Sequence, residues 1–175
     1  MWYRPHRVTD LLYACYDKAE AGEDFSDILT EIKSRFYEII KGLNLDLSLE
    51  EEFRQIEADF KAHAGNEYAA SRGEFLNGKV MAAYLGYEFI DADLLIQEAE
   101  GKLLSELIEE HGTDGFIEIE NRVNSQIQTH RSVIATGGSV VYGKEAMEHL
   151  KSIGTVVYLQ LPFEELNRRL SDIKG

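Results

Sequence analysis

Leu85-Gly86-Tyr87-Glu88-Phe89-Ile90-Asp91-Ala92-Asp93 is the stretch at which the periodicity of the chain changes. Before it, apolar residues recur at the three- and four-residue spacing of helices that bury one face. After it, short apolar runs alternate with helical stretches, which is the pattern of a parallel sheet with crossover helices. The switch near Gly86 divides the chain into residues 1–86, a helical bundle, and residues 87–175, a small parallel sheet with flanking helices. The expected class is α/β.

Upstream of the switch, Val8, Leu11, Leu12 and Cys15 mark the first amphipathic helix. Gly22 separates it from a second, with Ser26 as N-cap and Ile28, Leu29, Ile32, Phe36, Ile39 and Ile40 on its buried side. Gly42 ends that helix. Ser48 and Glu51 have the spacing of a capping box, in which hydroxyl and carboxylate satisfy each other's free backbone donors. The third helix then carries Leu49, Phe53, Ile56, Phe60 and His63 along one face. A fourth covers about residues 67–85, with Leu76, Val80 and Ala83 inward.

Downstream, Tyr87–Ile90 reads as a strand entering Asp91-Ala92-Asp93. Helical stretches Leu103–His111 and Thr113–Ile127 follow. Ser132–Ala135 is a second strand, running into Thr136-Gly137-Gly138-Ser139. A helix around Glu145–Lys151 leads to a third strand, Thr155–Leu161, and Pro162 opens a last helix at its permitted first-turn position. The expectation is a three-stranded parallel sheet in that order, with the Asp91 and Thr136 loops on its C-terminal edge. Burial of Val133, Ile134, Val156, Val157 and Leu159 would drive its formation.

Composition narrows the function. The hydrophobic fraction of 44% provides a core, and a formal net charge of −14 argues against binding a phosphate backbone. No apolar run reaches membrane-spanning length, and Met1-Trp2-Tyr3-Arg4-Pro5-His6-Arg7 does not read as a secretory signal. The expected address is the cytoplasm, with no nucleic-acid or membrane partner. Cys15, the single cysteine, excludes an internal disulfide and lies on an apolar stripe as a small buried hydrophobe. His63, His111, His130 and His149 share no ligand spacing and read as structural or solvent-facing; the Arg168-Arg169 pair either faces a phosphate site or, the preferred reading, lies on a solvated face.

Three segments could carry chemistry. Gly73-Glu74-Phe75-Leu76-Asn77-Gly78-Lys79-Val80 matches GxxxxGK but has Val80 where a metal-binding hydroxyl belongs. A phosphate loop also needs a strand before it, and Tyr68–Arg72 reads as helix. Asp91-x-Asp93 ends a strand, where ligands of parallel sheets bind. The pair either holds Mg²⁺ and orients a substrate hydroxyl or caps the following helix. Gly137-Gly138, after the next strand, permits close backbone approach to a ligand and equally suits a plain strand-to-loop turn.

Residues from about 7 to 92 resemble the middle of the aspartokinase catalytic domain. The likeness is carried by Val8-Thr9-Asp10-Leu11-Leu12, by the acidic helical pair after it, and by Ala70-Ser71-Arg72-Gly73-Glu74-Phe75-Leu76-Asn77-Gly78-Lys79 running on to Phe89. It implies that Thr9 and Glu74 contact an aspartate substrate. Residues from about 86 to 175 resemble shikimate kinase through Phe89-Ile90-Asp91-Ala92-Asp93, Gly112–Glu120, Val133–Gly138 and Thr155–Leu159. That likeness implies Mg²⁺ near Asp91, a substrate hydroxyl on Asp93 as catalytic residue, and Gly137 and Gly138 lining the substrate pocket. It also implies ATP, which Lys79 would meet if Gly73–Lys79 is a degenerate phosphate loop. The family's arginine after Gly-Phe is replaced by Ile117, and its lid would fall beyond Gly175.

Both families belong to amino-acid biosynthesis, and they overlap at Leu85–Ala92. The combined reading is a chimeric or truncated small-metabolite kinase remnant with an incomplete P-loop-kinase-like α/β fold. The alternative is an active shikimate-kinase-like phosphotransferase with a degenerate loop at Gly73–Lys79. A small-molecule metabolite is the expected partner, and a homodimer through an exposed sheet edge is a further expectation.

Overall fold

The computed structural model describes residues 7–158, 160–164 and 167. They fall into two compact units, Met1–Phe89 and Ile90–Gly175.

The first unit holds four helices: α1 Val8–Glu20, α2 Ser26–Gly42, α3 Glu50–Lys61 and α4 Asn66–Leu85. Their apolar stripes meet in one core that includes Leu12, Cys15, Ile32, Phe36, Leu49, Phe53, Ile56, Phe60 and Leu76. Phe60 is its hub. Tyr16, Phe25 and Tyr68 each present a ring edge to it, with centroids 5.8, 6.2 and 6.1 Å away; such edge-on pairs add to the burial of area. Cys15 is fully buried, and that burial pushes its thiol up to about 12, so it behaves as a core hydrophobe. α4 closes at Gly86, whose N–H reaches back to Ala82 and Ala83 oxygens.

Several details of this unit differ from expectation. Phe25, not Ser26, occupies the α2 N-cap, because the Asp24 carboxylate accepts both the Ser26 N–H and its hydroxyl, each at 3.0 Å. Ser48 and Glu51 form no capping box. Ser48 Oγ accepts from the Glu50 N–H at 3.4 Å, and the fully buried Leu49 fixes where α3 starts. His63 lies beyond the end of α3 at φ 61° and pairs with Glu20 at 2.5 Å instead of facing the core. Ile39 is exposed, and Ala82 takes the most buried place expected of Ala83.

The second unit contains β1 Glu88–Asp91, α5 Ala92–Glu100, α6 Leu104–Asn124, β2 Ser132–Ala135, a 3-10 turn Gly138–Tyr142 and α7 Lys144–Ile153, with β1 straddling the division. α5 is an element that the periodicity did not single out. α6 joins the two expected helical stretches, and Gly112, at φ 68° and ψ 179°, breaks it between them. Ile96, Leu107 and Val123 form one small core; Val140, Ala146 and Leu150 form another.

The sheet is parallel, as expected, but has two strands, β1 beside β2. The expected third strand does not form: residues 155–158 are not in a strand, and Leu159 lies outside the described residues. Val157 and Tyr158 are 75% and 78% exposed, so the expected burial of Val156 and Val157 fails as well. A β-branched run has strand character only where a neighbour pairs with it. Phe163 and Glu164, just after Pro162, are helical, and Arg168-Arg169 lies outside the described residues.

Candidate functional site

The apparent phosphate-loop motif is helix throughout: Gly73 to Val80 lies inside α4. A methyl group at Gly73 would meet Leu12, Val8 and Thr9 at 3.6–3.9 Å, ordinary contact. At Gly78 it would sit 2.2 Å from Phe89 Cε2, so this glycine lets an aromatic ring lie against the helix. Lys79 forms an ion pair with Glu52 of α3 and stands 5.3 Å from the Phe75 ring centre. Arg72 lies over Tyr68 and Phe75, at 4.2 and 4.8 Å.

Thr9 comes to α4 through the packing of α1 on it, with its hydroxyl near Gly73, the residue before Glu74. Desolvation raises the Glu74 carboxyl above its usual value.

The other predicted residues gather at the edge of the two-stranded sheet. Asp91 ends β1 and is the N-cap of α5, its carboxylate accepting the Asp93 N–H at 3.0 Å. The capping alternative is therefore the geometry adopted. β2 delivers Gly137 and Gly138 to the same edge. A methyl group at Gly137 would lie 2.5 Å from Glu120 Oε1 and 3.4 Å from Asp93 Oδ1, so a side chain there would have to displace the Glu120 carboxylate. Gly138, by contrast, faces open space.

Glu120, on α6, had no assigned role in the sequence. It is 1% exposed, with both carboxylate oxygens buried and the Ser139 side chain beside them. Its pKa is raised, first by burial and further by the Asp93 charge, with the Ser139 side chain pulling the other way. The available signal was an acid on the apolar stripe of Phe116, Ile119, Val123 and Ile127. A raised carboxyl pKa favours the neutral form in the fold. Stability from this group is then complete below its unfolded pKa and declines as pH rises through the raised folded value. Glu120→Gln should be more stable than the parent at neutral pH by about 1 kcal/mol, and urea unfolding across pH should show a flatter profile for the variant.

His149 Nε2 meets the Ile127 carbonyl at 2.7 Å, and His111 lies beside Glu110. Among the described residues, no group of three or more His, Cys, Asp or Glu is placed to hold a metal, and no helix is long and apolar enough to cross a membrane.

Two short parallel strands flanked by helices, with acids and a Gly-Gly loop on one edge, define an incomplete P-loop-kinase-like α/β protein. Residues 76–175 match the shikimate kinase family model. The chain belongs to the shikimate kinase family. It is 36% identical over 98 residues to shikimate kinase 2 of Dickeya chrysanthemi, covering 56% of this chain and 57% of that protein. With shikimate kinase of Synechococcus elongatus the identity is 37% over 99 residues, 56% of this chain and 52% of the relative. The chain thus spans about half the length of these curated relatives. It is also similar to the crystal structure of Clostridium acetobutylicum aspartate kinase, with 38% identity, a TM-score of 0.49, and coverage of 52% of this chain and 21% of that one.

Shikimate kinases use ATP and Mg²⁺. The residues at 73–79 do not fit the phosphates of ATP, because the helix holds their amides and Glu52 holds Lys79. Asp91 uses one carboxylate oxygen to cap α5.

Proposed function

We propose that the chain is a non-catalytic remnant of small-metabolite kinases of amino-acid biosynthesis. In this reading it is a chimera, with the aspartokinase-like residues 7–92 leading into the shikimate-kinase-like residues 86–175. The observation that carries the reading is the state of Gly73–Lys79: helical, with the lysine engaged by Glu52. Phosphoryl transfer depends on positioning and on stabilising phosphate charge, and this segment supplies neither.

The alternative is an active shikimate-kinase-like phosphotransferase with a degenerate loop. It draws on one observation: the family match begins at residue 76 and so takes in Gly78 and Lys79. Calorimetric titration with Mg·ATP separates the two. The remnant reading expects no dissociation constant tighter than the millimolar range, about −4 kcal/mol. Micromolar binding that Lys79→Ala abolishes would establish the alternative.

A further inference from the structure

We infer that the run Thr155-Val156-Val157-Tyr158-Leu159-Gln160-Leu161 is an interaction surface for a second copy of this chain. The two runs pair as antiparallel strands about a twofold axis at Tyr158. The run follows α7, and its residues 155–158, 160 and 161 belong to no helix or strand. Val156, Val157, Tyr158 and Leu161 are 46, 75, 78 and 43% exposed. Valine and tyrosine suit the pleated surface of a sheet, and a strand-forming run left in water is a template for pairing. The backbone is already extended at Gly154, with φ −170° and ψ −172°, so α7 ends in a conformation that a strand continues.

Charge decides the partner and the direction of pairing. Two copies of a chain carrying −14 repel each other over most of their surfaces. Between Gly154 and Pro162 there is no Asp, Glu, Lys, Arg or His, so copies meet here without that cost. The nearest charged residues on either side are Lys151 and Glu164, both exposed and of opposite sign. An antiparallel pair brings the Lys151 end of one run to the Glu164 end of the other, whereas a parallel pair sets like against like. A basic partner would be drawn to the acidic surface elsewhere and not to this run.

The register follows from the ends. Gly154 has no side chain to pack and Pro162 has no N–H to donate, so they bound the run. Full overlap sets Tyr158 opposite its own copy, Val156 opposite Gln160 and Thr155 opposite Leu161. This pairing does not involve Gly73–Lys79, so the Mg·ATP titration leaves it untouched.

The test is sedimentation velocity of the full chain from micromolar to submillimolar concentration, where a monomer–dimer equilibrium is expected. Val157→Lys puts an uncompensated charge into the run and should weaken the dimer about tenfold or more. Val141→Lys, at a residue 58% exposed but outside the run, should leave it unchanged. Lys151→Glu should weaken the dimer, and adding Glu164→Lys should restore it. Under mild oxidation Tyr158→Cys should form an intermolecular disulfide, because directly opposed residues of antiparallel strands lie within disulfide reach. Leu161→Cys, set opposite Thr155, should not, and the native Cys15 is buried. A monomer at every concentration, a dimer that Val157→Lys leaves intact or Val141→Lys weakens equally, or a dimer in which Tyr158→Cys fails to cross-link would overturn the assignment.

Discussion

Gly78→Ala is expected to destabilise the first unit, whereas Gly73→Ala is expected to leave it unchanged or more stable. Both glycines lie inside α4, where alanine is favoured over glycine by about 1 kcal/mol. At Gly73 nothing offsets that gain, since the new methyl group makes only ordinary contacts with α1. At Gly78 it would meet the Phe89 ring at 2.2 Å. That ring also packs edge-on against Phe75, with centroids 5.7 Å apart, and so is restrained from moving aside. Overpacking of this kind costs about 1–3 kcal/mol. Urea midpoints of the two variants check the contrast. Equal destabilisation by both would mean that the glycines serve a loop and not a helix.

Lys79→Met should cost about 1–3 kcal/mol of stability, a range discounted for the partial exposure of the pair. The methionine keeps the length of the side chain but removes the charge facing Glu52. The Glu52 side chain is 15% exposed, and its Oε2 is already buried without a partner, so losing the lysine leaves a half-buried carboxylate uncompensated. Adding Glu52→Leu to Lys79→Met should recover most of the loss, because a well-packed apolar pair replaces a desolvated ionic one. Denaturant unfolding of the two single variants and the double variant measures the coupling. No loss in Lys79→Met would mean that the ammonium is not committed to Glu52 and is free to meet phosphate.

The four helices of the first unit were legible because each has a long apolar stripe at helical spacing, and packing rewards it. Leu12, Phe36, Phe53 and Leu76 were placed inward from spacing alone, and all are buried. What failed there were caps, which depend on single competing hydrogen bonds such as Asp24 to Ser26. The second unit was less legible. Val156 and Val157 have strand character, but whether they pair depends on a neighbour that local sequence does not specify. The site was half visible. Asp91, Asp93 and the Gly-Gly turn stood out as types at strand ends, and the structure brings Asp93 and Gly137 together. Glu120 escaped because an acid in a helix reads as solvated. Only its register with Phe116 and Val123 betrays that it points inward.

Backbone amide hydrogen exchange over residues 75–80, with and without Mg·ATP, tests the central claim most directly. A helix interior packed on α1 and α3 predicts slow exchange in the absence of nucleotide, unchanged when Mg·ATP is added. Rapid exchange that slows on addition of Mg·ATP would show amides waiting for phosphate, and would contradict the helical account.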